Sequence, residues 1–315
     1  MEPNAKIYIA GHRGMVGSAL EKTLRKAGFH NIVTRSSMEL DLRDQAAVEQ
    51  FFQTEQPHLV FIAAGRVGGI VANNTYPADF VRDTLQIQTN VIDAAFRNRC
   101  NKLLFLGSSC IYPKLCPQPI KEEYLLTGPL EPTNEGFAVA KIAGIMMCKT
   151  YRRQYGFDAV AAMPANLYGP GDNFHPQNSH VIPGMIRRFH EAKITKKNSV
   201  TIWGSGTPLR EILHVDDLAD ACLFLMEHYS DEQHINVGSG REFSIFELAE
   251  HVAKAVGYTG EITTDPTKPD GTPRKIMDSS RINHLGWQPK IDLEDGLRET
   301  YAWYLDKERH GGLRV

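Results

Sequence analysis

The chain has 315 residues and an ordinary globular composition, with 42% hydrophobic residues, so it can form one large α/β domain and a smaller one. Its formal net charge of −2 excludes the positive field that general nucleic-acid binding requires. No apolar stretch is long enough to span a membrane, and the five cysteines lack metal-ligand spacing, so we expect a cytoplasmic protein without a bound metal.

The first half of the chain alternates short apolar runs with amphipathic stretches. The predicted strands are 6–10, 31–34, 59–63, 102–106 and 158–162, and the predicted helices are 15–27, 77–97 and 136–155. This alternation predicts an α/β protein with a Rossmann-type, doubly wound parallel sheet, which we assign to residues 1–167. After Leu167, glycine and proline cluster at 168–172, 204–208 and 268–273. We expect residues 168–315 to form mainly a smaller α/β substrate lobe, with some segments returning to the first domain.

A glycine-rich turn follows the first predicted strand and opens the first predicted helix. Its sequence is Gly11-His12-Arg13-Gly14-Met15-Val16-Gly17. Glycines at such a turn let the backbone approach a pyrophosphate closely, and the helix N-terminus then binds its charge. The position of the turn, at the very start of the chain, predicts a dinucleotide site.

The second predicted strand ends in Val33-Thr34-Arg35-Ser36-Ser37, without the acid that binds the ribose of NAD. Arg35 at this point and Arg13 in the glycine turn favour a 2′-phosphate instead, because a guanidinium meets phosphate with two parallel hydrogen bonds. The sequence therefore predicts NADPH as the cofactor.

Two further segments carry the predicted chemistry. Ser108 and Cys110 follow the fourth predicted strand, at the sheet edge where such folds bind ligands, and Phe137 lies four residues before Lys141 on one predicted helix. This pattern resembles the extended short-chain dehydrogenase/reductase family, whose catalytic pair is Tyr-x-x-x-Lys. Within it, the chain is similar to the epimerase/reductases of GDP-linked 4-keto-6-deoxy sugars, and the motifs that carry this resemblance lie at 11–17, 67–80, 107–114, 173–183 and 268–275.

The resemblance implies an enzyme that epimerises C3 and C5 of GDP-4-keto-6-deoxymannose and then reduces C4 with NADPH. It implies Cys110 as base, His180 as acid and Ser108 as hydrogen-bond donor to the C4 oxygen. Lys141 is implied to bind the nicotinamide ribose. A free thiol and a free imidazole titrate on either side of neutral pH, as proton transfer on two faces of a ring requires.

Further contacts are implied in the same way. Besides the glycine turn, Arg35, Lys141 and His180, the expected cofactor contacts are Ala63, Ala64, Leu106, Gly107, Pro164, Asn166 and Leu167. The expected substrate contacts are Ser108, Asn166, Arg188, Trp203, Arg210 and Asp270. The resemblance also implies a homodimer through a four-helix interface of the helices near 79–97 and 136–155. Residues 214–217 look like a structural motif in which an aspartate caps a helix.

The family has tyrosine where this chain has Phe137. That phenol gives the C4 oxygen its proton, so we expect its loss to slow reduction roughly 10²–10⁴-fold. One explanation is a substitution that lowers turnover, which we favour because phenylalanine deletes one hydroxyl and little else. The other is divergence, in which a water or the hydroxyl of Ser108, Tyr112 or Tyr124 donates instead.

Two alternatives to this function stay open. One is an enzyme for a related GDP-keto-deoxysugar, such as the colitose precursor, because the motifs do not distinguish one hydroxyl on the sugar. The other is a catalytically silent protein that binds NADP and a GDP-sugar. Phe137 favours the silent protein, whereas the presence of Ser108, Cys110, Lys141 and His180 together argues against it.

Overall fold

The computed structural model describes residues 1–66, 68–176, 178–268 and 270–314. Val67, Gln177 and Pro269, which fall within three of the motifs above, lie outside the described residues, as does Val315. Within the described ranges the strands are, in chain order, β1 (Ile7–Ala10), β2 (Ile32–Val33), β3 (Leu59–Ile62), β4 (Lys102–Leu106), β5 (Ala159–Pro164), β6 (Asn166–Tyr168), β7 (Ser199–Trp203), β8 (Leu209–His214), β9 (Ile235–Val237), β10 (Glu242–Ser244), β11 (Glu261–Asp265) and β12 (Arg274–Lys275).

Six strands form the central parallel sheet, in the order β2-β1-β3-β4-β5-β9. Every residue of β1, β3, β4 and β5 is buried, as expected of strands that helices cover on both faces. The chain passes from β1 to β2 on one side and then crosses to β3 on the other. The predicted doubly wound fold is therefore confirmed, and ligands are expected at the carboxyl edge where the direction changes.

The helices around these strands are, in chain order, α1 (Met15–Lys26), α2 (Gln45–Glu55), α3 (Ile70–Thr75), α4 (Pro77–Arg97), α5 (Glu135–Tyr155), α6 (Val181–Ile194), α7 (Val215–His228), α8 (Ile245–Val256), α9 (Ser280–His284) and α10 (Leu293–His310). The three predicted helices correspond to α1, α4 and α5, with ends that differ by at most one residue. Helix α5 ends at Tyr155 and is followed by Gly156, whose φ of 72° is typical of a glycine that stops a helix. Within the described ranges, none of the helices has both the length and the apolar character to cross a membrane.

The C-terminal half builds a second, smaller core. Strand β8 pairs with β6, β10 and β12 in a mixed sheet, and β7 pairs with β11. Helices α6, α8 and α10 bury a separate apolar cluster that includes Phe189, Leu248 and Leu297. One C-terminal strand, β9, joins the central sheet instead, where Ile235 lies opposite Ala162 of β5.

The start of α7 differs from the expectation that an aspartate caps it. The cap is His214, whose side chain accepts the N–H of Asp216. Asp217 is buried and accepts the N–H groups of Lys290 and Ile291, each at 3.0 Å. The second acid of the motif therefore holds the segment before α10, a long-range contact that the local sequence does not reveal.

Candidate active site

The predicted dinucleotide turn joins β1 to α1. Gly11 has a φ of 88°, and a Cβ there would lie 2.7 Å from the backbone nitrogen of Ala64. A side chain at Gly17 would overlap the carbonyl oxygen of Gly11. The first turn of α1, from Met15, has no acidic residue and no side-chain cap, so its N–H groups are left for an anion. These features fit the pyrophosphate of a dinucleotide.

The two arginines expected at the adenosine end have different surroundings. Arg13 is exposed, and the charges of Arg35 and Arg13 both help to lower the pKa of Glu39, after the larger effect of hydrogen bonds from Ser36. Arg35 donates to a carboxylate oxygen of Glu55 at 2.5 Å and lies 5.5 Å from the ring centre of Phe51. Arg35 is thus partly engaged by the protein, and Arg13 is the freer cation for a phosphate.

The other expected cofactor contacts follow the strands of the central sheet. They are Ala63 and Ala64 after β3, Leu106 and Gly107 at the end of β4, Pro164 at the end of β5, and Asn166 and Leu167 in β6, which directly follows β5 but pairs with β8. Because the strands are parallel, their carboxyl ends meet at one edge, and the structure brings these residues together there. The side-chain amide of Asn166 donates to the carbonyl of Glu211 at 3.0 Å, which joins this edge to β8.

Ser108 and Cys110 lie in the turn that follows β4. Oγ of Ser108 is 3.0 Å from Sγ of Cys110, and either atom can donate the hydrogen bond. The same oxygen accepts the N–H of Cys110 and so caps the short 3-10 helix Ser109–Ile111. Both side chains are half-buried. The serine therefore fixes the position of the thiol without covering it.

Lys141 is buried on α5, where its ammonium donates to the carbonyl of Leu106 at 2.8 Å and lies 4.7 Å from the ring centre of Phe105. Burial lowers the pKa of Lys141 to about 8, and the nearby Cys110 acts in the opposite direction. Phe137, one helical turn earlier, is 7% exposed and belongs to the central core. The predicted pair thus supplies a buried cation and an aromatic ring without a hydroxyl.

His180 is the N-cap residue of α6, and its side chain is about half exposed. Its Nδ1 lies 3.9 Å from Oδ1 of Asp172. Interaction with this carboxylate raises the pKa of His180, although burial acts in the opposite direction. The expected acid therefore has a group that favours its protonated form.

Tyr112 is not available as a substitute donor of a proton to the C4 oxygen. Its hydroxyl is buried, donates to Oδ1 of Asn236 at 2.6 Å and lies 2.9 Å from Nε2 of His234. Burial raises the pKa of Tyr112 well above its usual range. This phenol is a structural group that fastens the Ser108–Tyr112 segment to β9.

Two of the expected substrate residues lie at the end of β7. Trp203 is 63% exposed, and the ammonium of Lys268 lies 5.8 Å from its ring centre. Asp270 accepts the N–H of Ser205 at 2.6 Å and the hydroxyl of Ser205 at 2.9 Å. The loop with Asp270 therefore closes against the glycine-containing segment 204–208, beside an open aromatic face that suits stacking of a sugar or base.

The two expected substrate arginines lie on neighbouring elements. Arg188 of α6 donates to the carbonyl of Thr201 at 3.1 Å, and Arg210 of β8 donates to the carbonyl of Thr272 at 2.6 Å. Burial lowers the pKa of both guanidinium groups. Each guanidinium has five N–H donors, so both retain donors for a diphosphate.

Two residues near this site carry no sequence-based assignment. Asp172 lies in the glycine cluster 168–172, and Lys275 ends the motif 268–275. Lys275 pairs in register with Arg210, and burial lowers its pKa while Cys110 acts in the opposite direction. Their signal in the sequence is weak, because each lies in a segment marked by its glycines and prolines or by the family pattern, and nothing local distinguishes it there.

Comparison with known proteins gives the relationship directly. Residues 7–238 match the model of the NAD dependent epimerase/dehydratase family. GDP-L-fucose synthase 1 of Arabidopsis thaliana is 60% identical over 304 residues, which cover 96% of this chain and 94% of that protein. GDP-L-colitose synthase of Yersinia pseudotuberculosis is 39% identical over 97% of this chain and 99% of its own length.

A solved structure agrees. MlghC, a GDP-mannoheptose C4 reductase from Campylobacter jejuni with NADP bound, superposes with a TM-score of 0.88 at 41% identity, covering 97% of this chain and 99% of that chain. The coverage includes both the glycine turn and the C-terminal lobe. The chain therefore belongs to the NAD dependent epimerase/dehydratase family and, within it, to the GDP-L-fucose synthases.

Proposed function

We propose that the chain converts GDP-4-keto-6-deoxy-D-mannose to GDP-L-fucose, by epimerisation at C3 and C5 followed by reduction at C4. The observation that carries this proposal is the contact between Ser108 and Cys110, with the buried ammonium of Lys141 at the same strand end. A hydroxyl, a thiol and a cation suit removal of a proton next to a ketone, because they accept the proton and stabilise the enolate oxygen. Membership of the GDP-L-fucose synthases supports the substrate.

The cofactor in this proposal is NADPH. The glycine turn suits its pyrophosphate, and Arg13, with a smaller share from Arg35, favours its 2′-phosphate over a plain ribose. Lys141 is proposed to bind the nicotinamide ribose. When bound, the cofactor supplies the hydride that reduces C4.

Epimerisation in this proposal uses two side chains on opposite faces of the sugar. The thiolate of Cys110 takes the proton from C3 or C5, so a C–H bond breaks, an S–H bond forms and the electron pair enters the enolate. Ser108 donates a hydrogen bond to the enolate oxygen. The imidazolium of His180 then gives its proton to the other face of that carbon, and both side chains exchange protons with solvent before the next round.

Reduction is the step that Phe137 weakens. Without the family's phenol, the C4 oxygen takes its proton from Ser108 or from water. Loss of a positioned general acid costs roughly 10²–10⁴ in rate. We therefore propose that this chain is a low-activity form of the reductase that still epimerises its substrate.

We also propose a homodimer through a four-helix interface formed by α4 and α5 of both subunits. The two helices pack along each other, and α5 carries the exposed apolar side chains Val139 and Met146 two turns apart. A stripe of this kind supports a face covered by a second copy. Light scattering after size-exclusion chromatography tests this, because Val139→Glu with Met146→Glu should halve the mass, and an unchanged mass contradicts it.

The assignment of residues 168–315 mainly to the GDP-sugar lobe is part of the same proposal, and the cluster of Trp203, Arg210 and Asp270 supports it. A cytoplasmic location is also proposed. All five cysteines are free thiols, which suits a reducing compartment.

Product analysis tests the function. The protein is incubated with NADPH and either GDP-4-keto-6-deoxymannose or the corresponding 3,6-dideoxy sugar, and products are identified by NMR. GDP-L-fucose from the first substrate is the expected result. Turnover of the dideoxy sugar alone would indicate the colitose-type enzyme, to which the chain is less similar. Binding of NADPH and GDP in a thermal-shift assay, without exchange or turnover, would indicate the silent binding protein.

A further inference from the structure

Asp172 is a buried carboxylate near His180 that the reaction above leaves without a role. Its side chain is 4% exposed, and its Oδ1 accepts the N–H of Asn173 at 2.7 Å. Its Oδ2 is buried and has no hydrogen-bond partner among the described residues. A buried carboxylate with an unsatisfied oxygen is costly, so this position calls for a cationic or hydrogen-bonding partner.

His180 is the group in position to be that partner. Its Nδ1 lies 3.9 Å from Oδ1 of Asp172, the oxygen that already accepts from Asn173, and a small rotation of the ring would bring Nδ1 within hydrogen-bond distance of the carboxylate. The imidazole is about half exposed, so it has room to rotate, whereas the carboxylate is enclosed. The mobile member of the pair is therefore the ring.

The other ionisable groups around Asp172 have partners of their own. Arg314 donates to the carbonyl of Gly171, Arg187 donates to the carbonyl of Phe174 and to Glu191, and Nδ1 of His175 accepts the N–H of Asn178. Asp172 also lies close enough to His180 to raise the pKa of its imidazole.

The fold holds Asp172 in place through a turn of unusual backbone. Gly169 has a φ of 150° and Gly171 has a φ of 86°. A side chain at Gly169 would lie 3.2 Å from Cβ of Val215, and one at Gly171 would lie 3.4 Å from Cα of Met15. The turn 169–172 therefore packs between the start of α7 and the start of α1. It lies beside the glycine turn at 11–17, which is expected to hold the cofactor.

We propose that Asp172 is a positioning residue for His180: its carboxylate accepts a hydrogen bond from Nδ1–H and so directs Nε2–H toward the sugar. The inference rests on the proposed function, in which His180 is the acid. In that step the Nε2–H bond breaks and a C–H bond forms at C3 or C5. The neutral ring keeps its Nδ1 proton, and Asp172 stays ionised throughout, as the aspartate of a catalytic triad does.

The electrostatics agree with this geometry. Asp172 raises the pKa of His180, and burial acts against it. The imidazolium is therefore retained to higher pH than a free histidine would allow. Loss of the carboxylate should move the protonated form of His180 to lower pH.

The first test needs no turnover. His180 ring resonances are identified by their absence from the His180→Gln spectrum and followed through a pH titration. Asp172→Asn, which keeps the acceptor for Asn173, should lower the midpoint, whereas Glu191→Gln, which removes a charge from α6 farther along, should leave it unchanged. Equal midpoints in the parent and Asp172→Asn would overturn the proposal. In the unprotonated parent the ring should carry its hydrogen on Nδ1, and an Nε2–H tautomer would also overturn it.

The second test separates positioning from structure. Exchange of sugar protons is followed in D₂O without NADPH. Asp172→Asn should slow the exchange of sugar protons roughly tenfold and shift the pH profile of this exchange to lower pH. In a His180→Gln background, the same substitution should cause no further loss of rate. An additional loss in that background would make Asp172 a structural residue and defeat the proposal. If His180→Gln exchanges as fast as the parent, the acid role itself fails, and the titration still decides whether the two residues pair.

Discussion

Ser108 Oγ lies 3.0 Å from Cys110 Sγ, so the thiol and a bound ketone oxygen would compete for the one hydroxyl hydrogen of Ser108. A serine hydroxyl has a single hydrogen, and it can point to a thiolate or to a ketone oxygen but not to both. In the proposed reaction, turning toward the oxygen deprives the thiolate of a hydrogen bond and makes it a stronger base.

Removal of the thiol should abolish proton exchange. Cys110→Ser should slow deuterium uptake at C3 and C5 by roughly 10²–10⁴, because a positioned base contributes that much. NMR of the GDP-keto-sugar in D₂O without NADPH measures it. Cys116→Ser is the matched control, since Cys116 is also half-buried, follows closely in the chain and has no role in the reaction. Exchange by Cys110→Ser at the parent rate would remove Cys110 as the base.

Restoring the phenol should restore reduction. Phe137→Tyr adds one hydroxyl one turn before Lys141, and we expect NADPH oxidation with the GDP-keto-sugar to rise by about two orders of magnitude or more. Absorbance at the nicotinamide band follows the rate. Phe137→Leu, which adds no donor, should give no gain. Equal rates for Phe137→Tyr and the parent would mean that another group already protonates the C4 oxygen.

The two arginines should differ in their effect on cofactor choice. Arg13→Ala should weaken NADPH binding roughly tenfold while leaving NADH nearly unchanged, since a charge-assisted hydrogen bond to the 2′-phosphate is lost. Compared with Arg13→Ala, Arg35→Ala should reduce the preference for NADPH over NADH less and lower the free energy of unfolding more, because Arg35 also contacts Glu55 and Phe51. Fluorescence titrations with both nucleotides compare the variants. The reverse order would make Arg35 the main phosphate ligand.

Lys141 should couple stability to pH in the alkaline range. Burial lowers its pKa from 10.5 to about 8, so between these values the unfolded chain binds more protons than the folded one, and the contribution of Lys141 to stability rises with pH. Relative to Lys141→Met, the unfolding free energy of the parent should gain up to ~3 kcal/mol across this window. Denaturant unfolding at several pH values measures the difference, with the exposed Lys26→Met as control. A difference that is flat with pH would contradict the lowered pKa.

The sequence was sufficient for the first five strands of the central sheet, but not for β9, because the signals of those five are local. The runs at β1, β3 and β4 are apolar throughout, and a strand covered on both faces has to be so. The glycines at Gly11 and Gly17 mark a turn where a side chain does not fit. Helix α5 could be read from its periodicity and from Gly156 at its end.

The rest depends on contacts between distant parts of the chain. Arg35 donates a hydrogen bond to Glu55, and Tyr112 donates one to Asn236, which lies more than a hundred residues later in the chain. Lys275 reaches the site only because β12 pairs with β8, and two-residue strands leave no periodic pattern. Asp172 looked like part of a loop, because nothing local tells a buried carboxylate from a solvated one.

Strand β9 has a consequence for the architecture as a whole. Residues 235–237 come from the far half of the chain, yet they close the side of β5 that would otherwise present unpaired backbone groups. A fragment that ended before β9 would expose this row of donors and acceptors, which is a template for association with other chains. We therefore expect a version truncated before β9 to aggregate more readily than the longer chain, in which residues 235–237 cover the edge of β5.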